Sequence, residues 1–225
     1  MNYQIDCLSF NTKQILDRIK KTDLVPSLDP IKEKADEILT KFEADGLNNL
    51  EEIRKSLSSK KKLTDIALRL QIDEDLLVLF KREIEGWIAK DRSIDEFDWI
   101  PIKNRKLLKE YGISSSKEAF ENLNSAAARE EISESLKIDE ETLREIYGIS
   151  NLMRIRWLSP TFTRIFYDLH YTVEKLHQAR ADLLAKEVDD YNRKVHYYKG
   201  KIGERDMNRI ILESQYVDNT HATNS

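Results

Sequence analysis

The feature that most constrains this chain is its likeness to itself. Gly46-Leu47-Asn48-Asn49-Leu50-Glu51-Glu52 and Gly112-Ile113-Ser114-Ser115-Ser116-Lys117-Glu118 lie 66 residues apart. At the same offset Leu70-Gln71-Ile72-Asp73-Glu74 meets Leu136-Lys137-Ile138-Asp139-Glu140. Two independent anchors on one offset define a repeated unit, and such a period dictates architecture before any local propensity does. A third copy follows at 58 residues, where Phe97, Trp99, Ile100, Leu107 and Leu108 meet Ile155, Trp157, Leu158, Ile165 and Phe166. Its last helix, around Glu204 to Ile211, aligns with Asp139 to Ile146 at about 65. That shift requires about seven extra residues, expected in Asp189 to Gly200.

Each copy shares a grammar of apolar lead-in, Pro-containing turn, helix with a Gly or polar C-cap, and a second capped helix. Pro26, Pro30, Pro101 and Pro160 all fall in the lead-in turns, where proline suits turn and first-turn positions and would break a helix interior. Gly46 and Gly112 fit the left-handed position past a helix end, while Asn49 with Glu52 and Ser115 with Glu118 form capping boxes. This reading gives two helices per unit. Periodicity adds helices over Thr12–Lys21, Leu63–Leu70, Asp75–Trp87, Ala126–Leu136, Glu140–Ile149, Glu174–Val195 and Arg205–Gln215. No alternating strand pattern competes, so the expected fold is all-α, built of tandem helix-hairpin-helix-like repeats. The expected boundaries are an N-terminal helical segment over 1–88, a tandem repeat domain over 89–217, and a polar, disordered tail over 218–225.

Composition supports that class. Charged residues make up 35% of the 225, with only 6 Gly and 4 Pro to interrupt helices. The longest apolar run, Leu76 to Phe80, is far below the roughly 18 residues a membrane span needs. Met1 to Phe10 has no basic signal region, and the expected location is cytoplasmic. One cysteine, Cys7, excludes an intrachain disulfide and a multi-cysteine metal site. The net charge of -4 points away from nucleic acid for the chain as a whole. Residues 151–225 alone carry a surplus, 12 basic against 10 acidic, small beside the several phosphate contacts of a DNA-binding surface.

The lead-in, tight turn, helix of about ten residues, Gly-Ile, capping box and short helix together resemble the helix-hairpin-helix repeat. Ser150-Asn151-Leu152-Met153-Arg154-Ile155-Arg156-Trp157 joins two copies. With Asn151 to Leu176, Tyr198-Lys199-Gly200-Lys201-Ile202-Gly203 and Asp206-Met207, it resembles the bacterial family called domain of unknown function 4332, over roughly residues 90–217. The resemblance implies an all-helical fold of a type that many nucleic-acid-binding proteins use, and no established activity. Hairpins that grip DNA place Gly-x-Gly where backbone N–H groups approach a phosphate. Here the hairpins read Pro26-Ser27-Leu28-Asp29-Pro30, Ile100-Pro101-Ile102-Lys103 and Leu158-Ser159-Pro160-Thr161, which serve packing and not phosphate clamping.

His170 and His177 are seven apart, but His170 takes the Gly112 position at a helix end, so a turn separates them and neither reads as a metal ligand. The carboxylate clusters Asp73-Glu74-Asp75 and Asp139-Glu140-Glu141 recur at helix N-termini, where they offset the dipole. Trp99 and Trp157 occupy matching positions and read as core. No nucleophile, phosphate-loop or dinucleotide motif occurs, and no cofactor or catalytic residue is expected. The one stretch with a binding character runs from Tyr191 to Lys201, interleaving Arg193, Lys194, Lys199 and Lys201 with Tyr191, Tyr197 and Tyr198. With Arg154 and Arg156 beside the third lead-in, the candidate binding residues are Arg154, Arg156, Arg193, Lys194, Tyr197, Tyr198, Lys199 and Lys201. The leading expectation is a non-enzymatic helical module that binds a protein partner. The alternative is a nucleic-acid-binding helix-hairpin-helix protein of weak, unspecific affinity.

Overall fold

Caps and left-handed residues recur along the chain with the period of the sequence. In the computed structural model, which describes residues 3–217, thirteen α-helices form, with two isolated β-bridges and no sheet among the described residues. The predicted tail at 218–225 lies outside the described residues. The chain divides into two compact units, one of residues 5–88 and one in which Tyr3 and Gln4 join residues from Ala89 onward. The second unit is therefore discontinuous, a feature absent from the sequence reading of a simple 1–88 segment.

Residues 5–88 hold α1 (Thr12–Lys21), α2 (Asp29–Ala44), α3 (Leu50–Ser56), α4 (Lys60–Leu70) and α5 (Glu74–Glu85). The other unit holds α6 (Ile102–Tyr111), α7 (Ser116–Asn122), α8 (Ala126–Leu136) and α9 (Glu140–Leu152), followed by α10 (Pro160–Asp168), α11 (Val173–His177), α12 (Ala181–Val195) and α13 (Glu204–Ser214). Each repeat thus contains four helices, not two, since α3, α4 and α5 begin 66 residues before α7, α8 and α9. The side-chain caps Asn49, Ser59 and Asp73 match Ser115, Ser125 and Asp139, each satisfying a first-turn N–H and contributing about 1 kcal/mol. Left-handed C-caps fall in the same places: Gly46, Gly112 and His170 after the first helix, and Gln71, Lys137 and His196 after the third.

The cores keep that register. Phe42, Ile53, Leu57, Ile66, Ile72, Leu77 and Phe80 are buried in one unit, and 66 residues later Leu108, Ala119, Leu123, Ile132, Ile138, Leu143 and Ile146 are buried in the other. Burying such side chains is the dominant favourable contribution to folding, about 1.5–3 kcal/mol for each large one. In the third repeat Met207, Ile210 and Ser214 take the buried places of Leu143, Ile146 and Ser150, an offset of 64.

Two expectations need correction. The helix predicted over Glu174–Val195 is two helices, broken at Gln178 to Arg180. Leu176 and Ala181 both face the core, whereas in one straight helix five residues would separate them by about 140°, so the break resets the phase. The extra residues of the third repeat number nine, counted from Ala181–Glu204 against Ala126–Glu140. They lengthen α12 and the loop after it.

Helix α9 packs on α10, and the Tyr167 ring of α10 lies against Gly148. A Cβ there would meet Cε2 of Tyr167 at 2.5 Å and Cδ2 at 2.7 Å. Gly to Ala in a helix interior ordinarily stabilises by about 1 kcal/mol, but here the overlap dominates, since overpacking typically costs about 1–3 kcal/mol. Gly148→Ala is expected to destabilise in urea unfolding followed by circular dichroism, and Tyr167→Ala to reverse the effect in a double-mutant cycle. A stabilising Gly148→Ala would show that Tyr167 yields freely.

Candidate functional site

The two equivalent tryptophans sit in the same kind of turn but in opposite backbone states. Ile100 N–H donates to Phe97 O at 3.0 Å, and Leu158 N–H donates to Ile155 O at 3.4 Å, so Trp99 and Trp157 each occupy the third place of a four-residue turn. Trp157 has φ +71°, whereas Trp99 stays outside the left-handed region. That place with positive φ is normally glycine's, and for a bulky L-residue it costs about 1–2 kcal/mol. Strain of this kind concentrates at functional sites. The sequence reading gave both rings to the core, and the backbone difference corrects it for Trp157.

Trp99 is closed over by the following repeat. Its Nε1–H donates to Glu145 Oε1 at 2.8 Å, and the Arg164 guanidinium of α10 stands 5.0 Å above its ring. Arg164 Nε also lies 3.9 Å from Glu145, and the same guanidinium lies 4.3 Å from the ring of Tyr197. Burial raises the Glu145 carboxyl pKa, opposed by the Trp99 hydrogen bond and by Arg164. Trp157, by contrast, is 48% exposed, with Arg156 at 4.5 Å and Arg209 at 5.7 Å from its ring.

Beside Trp157 opens a pocket of about 260 Å³ lined by Phe162, Tyr198, Lys201, Asp206 and Arg209, with Ser159, Ile202 and Ile210 completing it. The loop after α12 supplies three of these residues, Tyr198, Lys201 and Ile202. Asn192, buried near the end of α12, clamps the loop by donating from Nδ2 to Tyr198 O at 2.8 Å and accepting from Tyr198 N–H at 2.9 Å. The clamp holds the Tyr198 ring 4.8 Å from Phe162. The ring also lies over Gly200, where a Cβ would meet Cε1 at 2.3 Å.

The structure divides the eight candidate residues. Tyr198 and Lys201 line the pocket, and Arg156 covers the Trp157 ring while lying 3.8 Å from the buried Glu213. Lys199 is exposed on the same loop. Tyr197 turns instead to Arg164 in the packing between repeats. Arg193 pairs with Asp189 on α12, and Lys194 lines a separate surface groove with Leu183, Glu187 and Tyr191. Arg154 is 6% exposed: Nε donates to Tyr3 O at 3.3 Å, NH1 donates to Asn151 Oδ1 at 3.0 Å, and the guanidinium lies 4.6 Å over Phe120. It is part of the interior, since its charge is spent on backbone and ring contacts.

Sequence reasoning missed Trp157, Phe162 and Arg209 as pocket residues. Arg209 occupies the Glu145 position by the 64-residue offset of the structure, whereas the offset of about 65 read from the sequence sets it against Arg144 and hides the reversal of charge. His170 and His177 lie apart, His177 Nε2 contacting Ser214 O and His170 O accepting from Lys175. Among the described residues no three His, Cys, Asp or Glu side chains converge on a metal position, and no helix is long and apolar enough to cross a membrane.

No curated protein and no solved structure matches the chain. A family profile does match, over residues 100–215, the stretch from the last residue of the Trp99 turn to just past α13. The two four-helix repeats and the Trp157 pocket fall within it, and the chain belongs to the family described as domain of unknown function (DUF4332).

Proposed function

We propose that this protein is a non-enzymatic, cytoplasmic module of helix-hairpin-helix-like repeats that docks a protein partner at the Trp157 pocket. The observation that carries this reading is the contrast between the repeats. Trp99 is closed over by the next repeat, while Trp157 is held outward by a strained turn and left half exposed. An exposed tryptophan flanked by tyrosine and arginine has the composition of an interface hot spot. The pocket contributes no pair of catalytic acids or bases, because Asp206 accepts from Gly203 N–H and caps α13.

Trp157→Gly tests the reading without unfolding the protein. Relief of the left-handed strain offsets the loss of a half-buried ring, so stability should stay within about 2 kcal/mol of wild type. In affinity capture from the native cell after nuclease treatment, wild type should retain protein partners that Trp157→Gly loses. Gly200→Ala, which displaces the Tyr198 ring, should weaken the same capture. Partners that vanish on nuclease treatment, or that Trp157→Gly retains, would overturn the proposal.

A further inference from the structure

Two equivalent helices carry their outward charge against their own dipoles. The first turn of α4 holds Lys60, Lys61 and Lys62 and no acidic residue, although the positive end of the helix dipole lies there. In α8, 66 residues later, Ala126, Ala127 and Ala128 take those places, while Glu130, Glu131 and Glu134 run toward the C-terminal end, whose last turn has no basic residue. Lys60, Lys61, Glu130, Glu131 and Glu134 are all exposed, and among the described residues none of their charged groups has a side-chain partner. Leu68 of α4 is 75% exposed, the most exposed large apolar side chain of the described residues.

The two faces match in one register. Lys61 and Leu68 are seven residues apart, so they share a face and lie about 10 Å from each other along the helix. Ala127 and Glu134 repeat that spacing on α8. Laid antiparallel, Lys60 and Lys61 meet Glu134 and Glu130, while Leu68 meets Ala126 and Ala127, whose small side chains leave room for it. A groove of about 420 Å³ lined by Ala126, Glu130, Ser133, Glu134 and Glu140 runs along that side of α8. Laid parallel, Leu68 would meet Glu134 and the lysines would meet alanines. The antiparallel contact also brings carboxylates to the positive end of α4 and ammonium groups to the negative end of α8, which both dipoles favour. Asp65 stays off this contact, on the flank of α4 where it lines a groove with Lys62 and Arg69.

We infer that the outward face of α4 in one copy of this chain docks antiparallel on α8 of a second copy. The occupant is a second copy because the basic face with its apolar knob and the acidic face with its groove are both present on every chain. A knob on one surface and its groove on another make a head-to-tail contact, unlike the self-complementary patch of a two-fold dimer. None of these residues lines the Trp157 pocket, so self-association here is independent of partner docking there.

Sedimentation velocity of the full chain tests the inference. The average mass should rise with protein concentration and fall again as added salt screens the exposed charges. Leu68→Ser should weaken the association about tenfold, the effect of withdrawing one leucine side chain from a buried contact. The charge-reversed proteins Lys60→Glu, Lys61→Glu and Glu130→Lys, Glu134→Lys should each be monomeric alone, and an equimolar mixture of the two should associate again, a gain that misfolding cannot produce. Trp157→Gly should associate as wild type does. Wild type that stays monomeric up to about 1 mM, the weak end of the affinity scale, overturns the inference. So does a mixture of the reversed proteins that remains monomeric, or Leu68→Ser that associates like wild type. Loss of association in Trp157→Gly would move the contact to the pocket and overturn it as well.

Discussion

Tyr3→Ala is expected to destabilise the unit formed by residues 3–4 and 89–217 by about 3–5 kcal/mol, the range for deleting a fully buried aromatic side chain. Tyr3 is 1% exposed. Its ring meets Phe120 edge-on at 5.7 Å, its hydroxyl shares a 2.9 Å hydrogen bond with Ser116 Oγ, and its carbonyl accepts from Arg154. Hydrogen exchange should register the loss in the amides of α7 and α9, beside Phe120 and Arg154. Arg154→Ala should act on the same amides. Wild-type protection there in Tyr3→Ala would show that the unit closes without this residue.

The same residue predicts alkaline lability. Burial pushes the Tyr3 phenol up to about 12 from 10.0, so the folded state favours its neutral form. The stabilisation is complete below pH 10 and is lost as pH rises from 10 through about 12, amounting to roughly 2–3 kcal/mol for a shift of two units. Tyr171 and Tyr191 are also raised to about 12, by desolvation first and then by hydrogen bonds to Glu187 and Asp168. They are more open to solvent and contribute less. Tyr3→Phe should therefore flatten the fall in urea stability between pH 10 and 12 more than Tyr171→Phe does, and the reverse order would assign the transition elsewhere.

The largest expected effect in residues 5–88 is at Glu83. Its carboxylate accepts from Trp87 Nε1–H at 2.9 Å, and the Arg18 guanidinium lies 4.5 Å over the same indole, with both charged side chains at most 2% exposed. Glu83→Leu leaves a buried indole N–H without this acceptor and a buried cation without the carboxylate on that ring. Breaking such an arrangement from one side costs about 3–5 kcal/mol. Replacing both, Glu83→Leu with Arg18→Met, takes both buried charges away from the Trp87 ring and should recover part of the loss. Trp87 fluorescence during urea unfolding, recorded in a Trp99→Phe, Trp157→Phe background, measures it. Additive losses in the double variant would mean that the two charges act independently.

Elements that depend on near neighbours were legible in the sequence. Asn49, Ser115, Gly46 and Gly112 announce helix ends because caps and left-handed turns are satisfied within a few residues. The 66-residue offset carried the register of the cores of the first two repeats. Arg154 was misplaced because nothing local distinguishes a surface arginine from one whose acceptor, Tyr3 O, lies 151 residues away. Tyr197 and Tyr198 are adjacent and chemically alike, yet one turns to Arg164 and the other to the pocket. That choice goes with the Asn192 clamp and with the missing Cβ at Gly200, against which the Tyr198 ring packs, neither visible in composition. The strain at Trp157 was invisible for a related reason, since the two turns carry tryptophan at the same place and only Trp157 takes a positive φ.

The discontinuous unit also sets an order of events during synthesis. Tyr3 leaves the ribosome before its hydroxyl partner Ser116 and its carbonyl donor Arg154, which come 113 and 151 residues later. At roughly 5–20 residues per second, Tyr3 waits on the order of ten seconds or more before its site exists. Residues 5–88 hold a complete core of their own by then, so they can fold in the interval and shorten the flexible path that closure must span, lowering its entropic cost. The contacts of Tyr3 with Ser116 and Arg154 thus close late relative to the synthesis of Tyr3 itself. A bulky group placed directly ahead of Tyr3 would burden that step, slowing the closure of the Tyr3 contacts while leaving the folding of residues 5–88 unchanged.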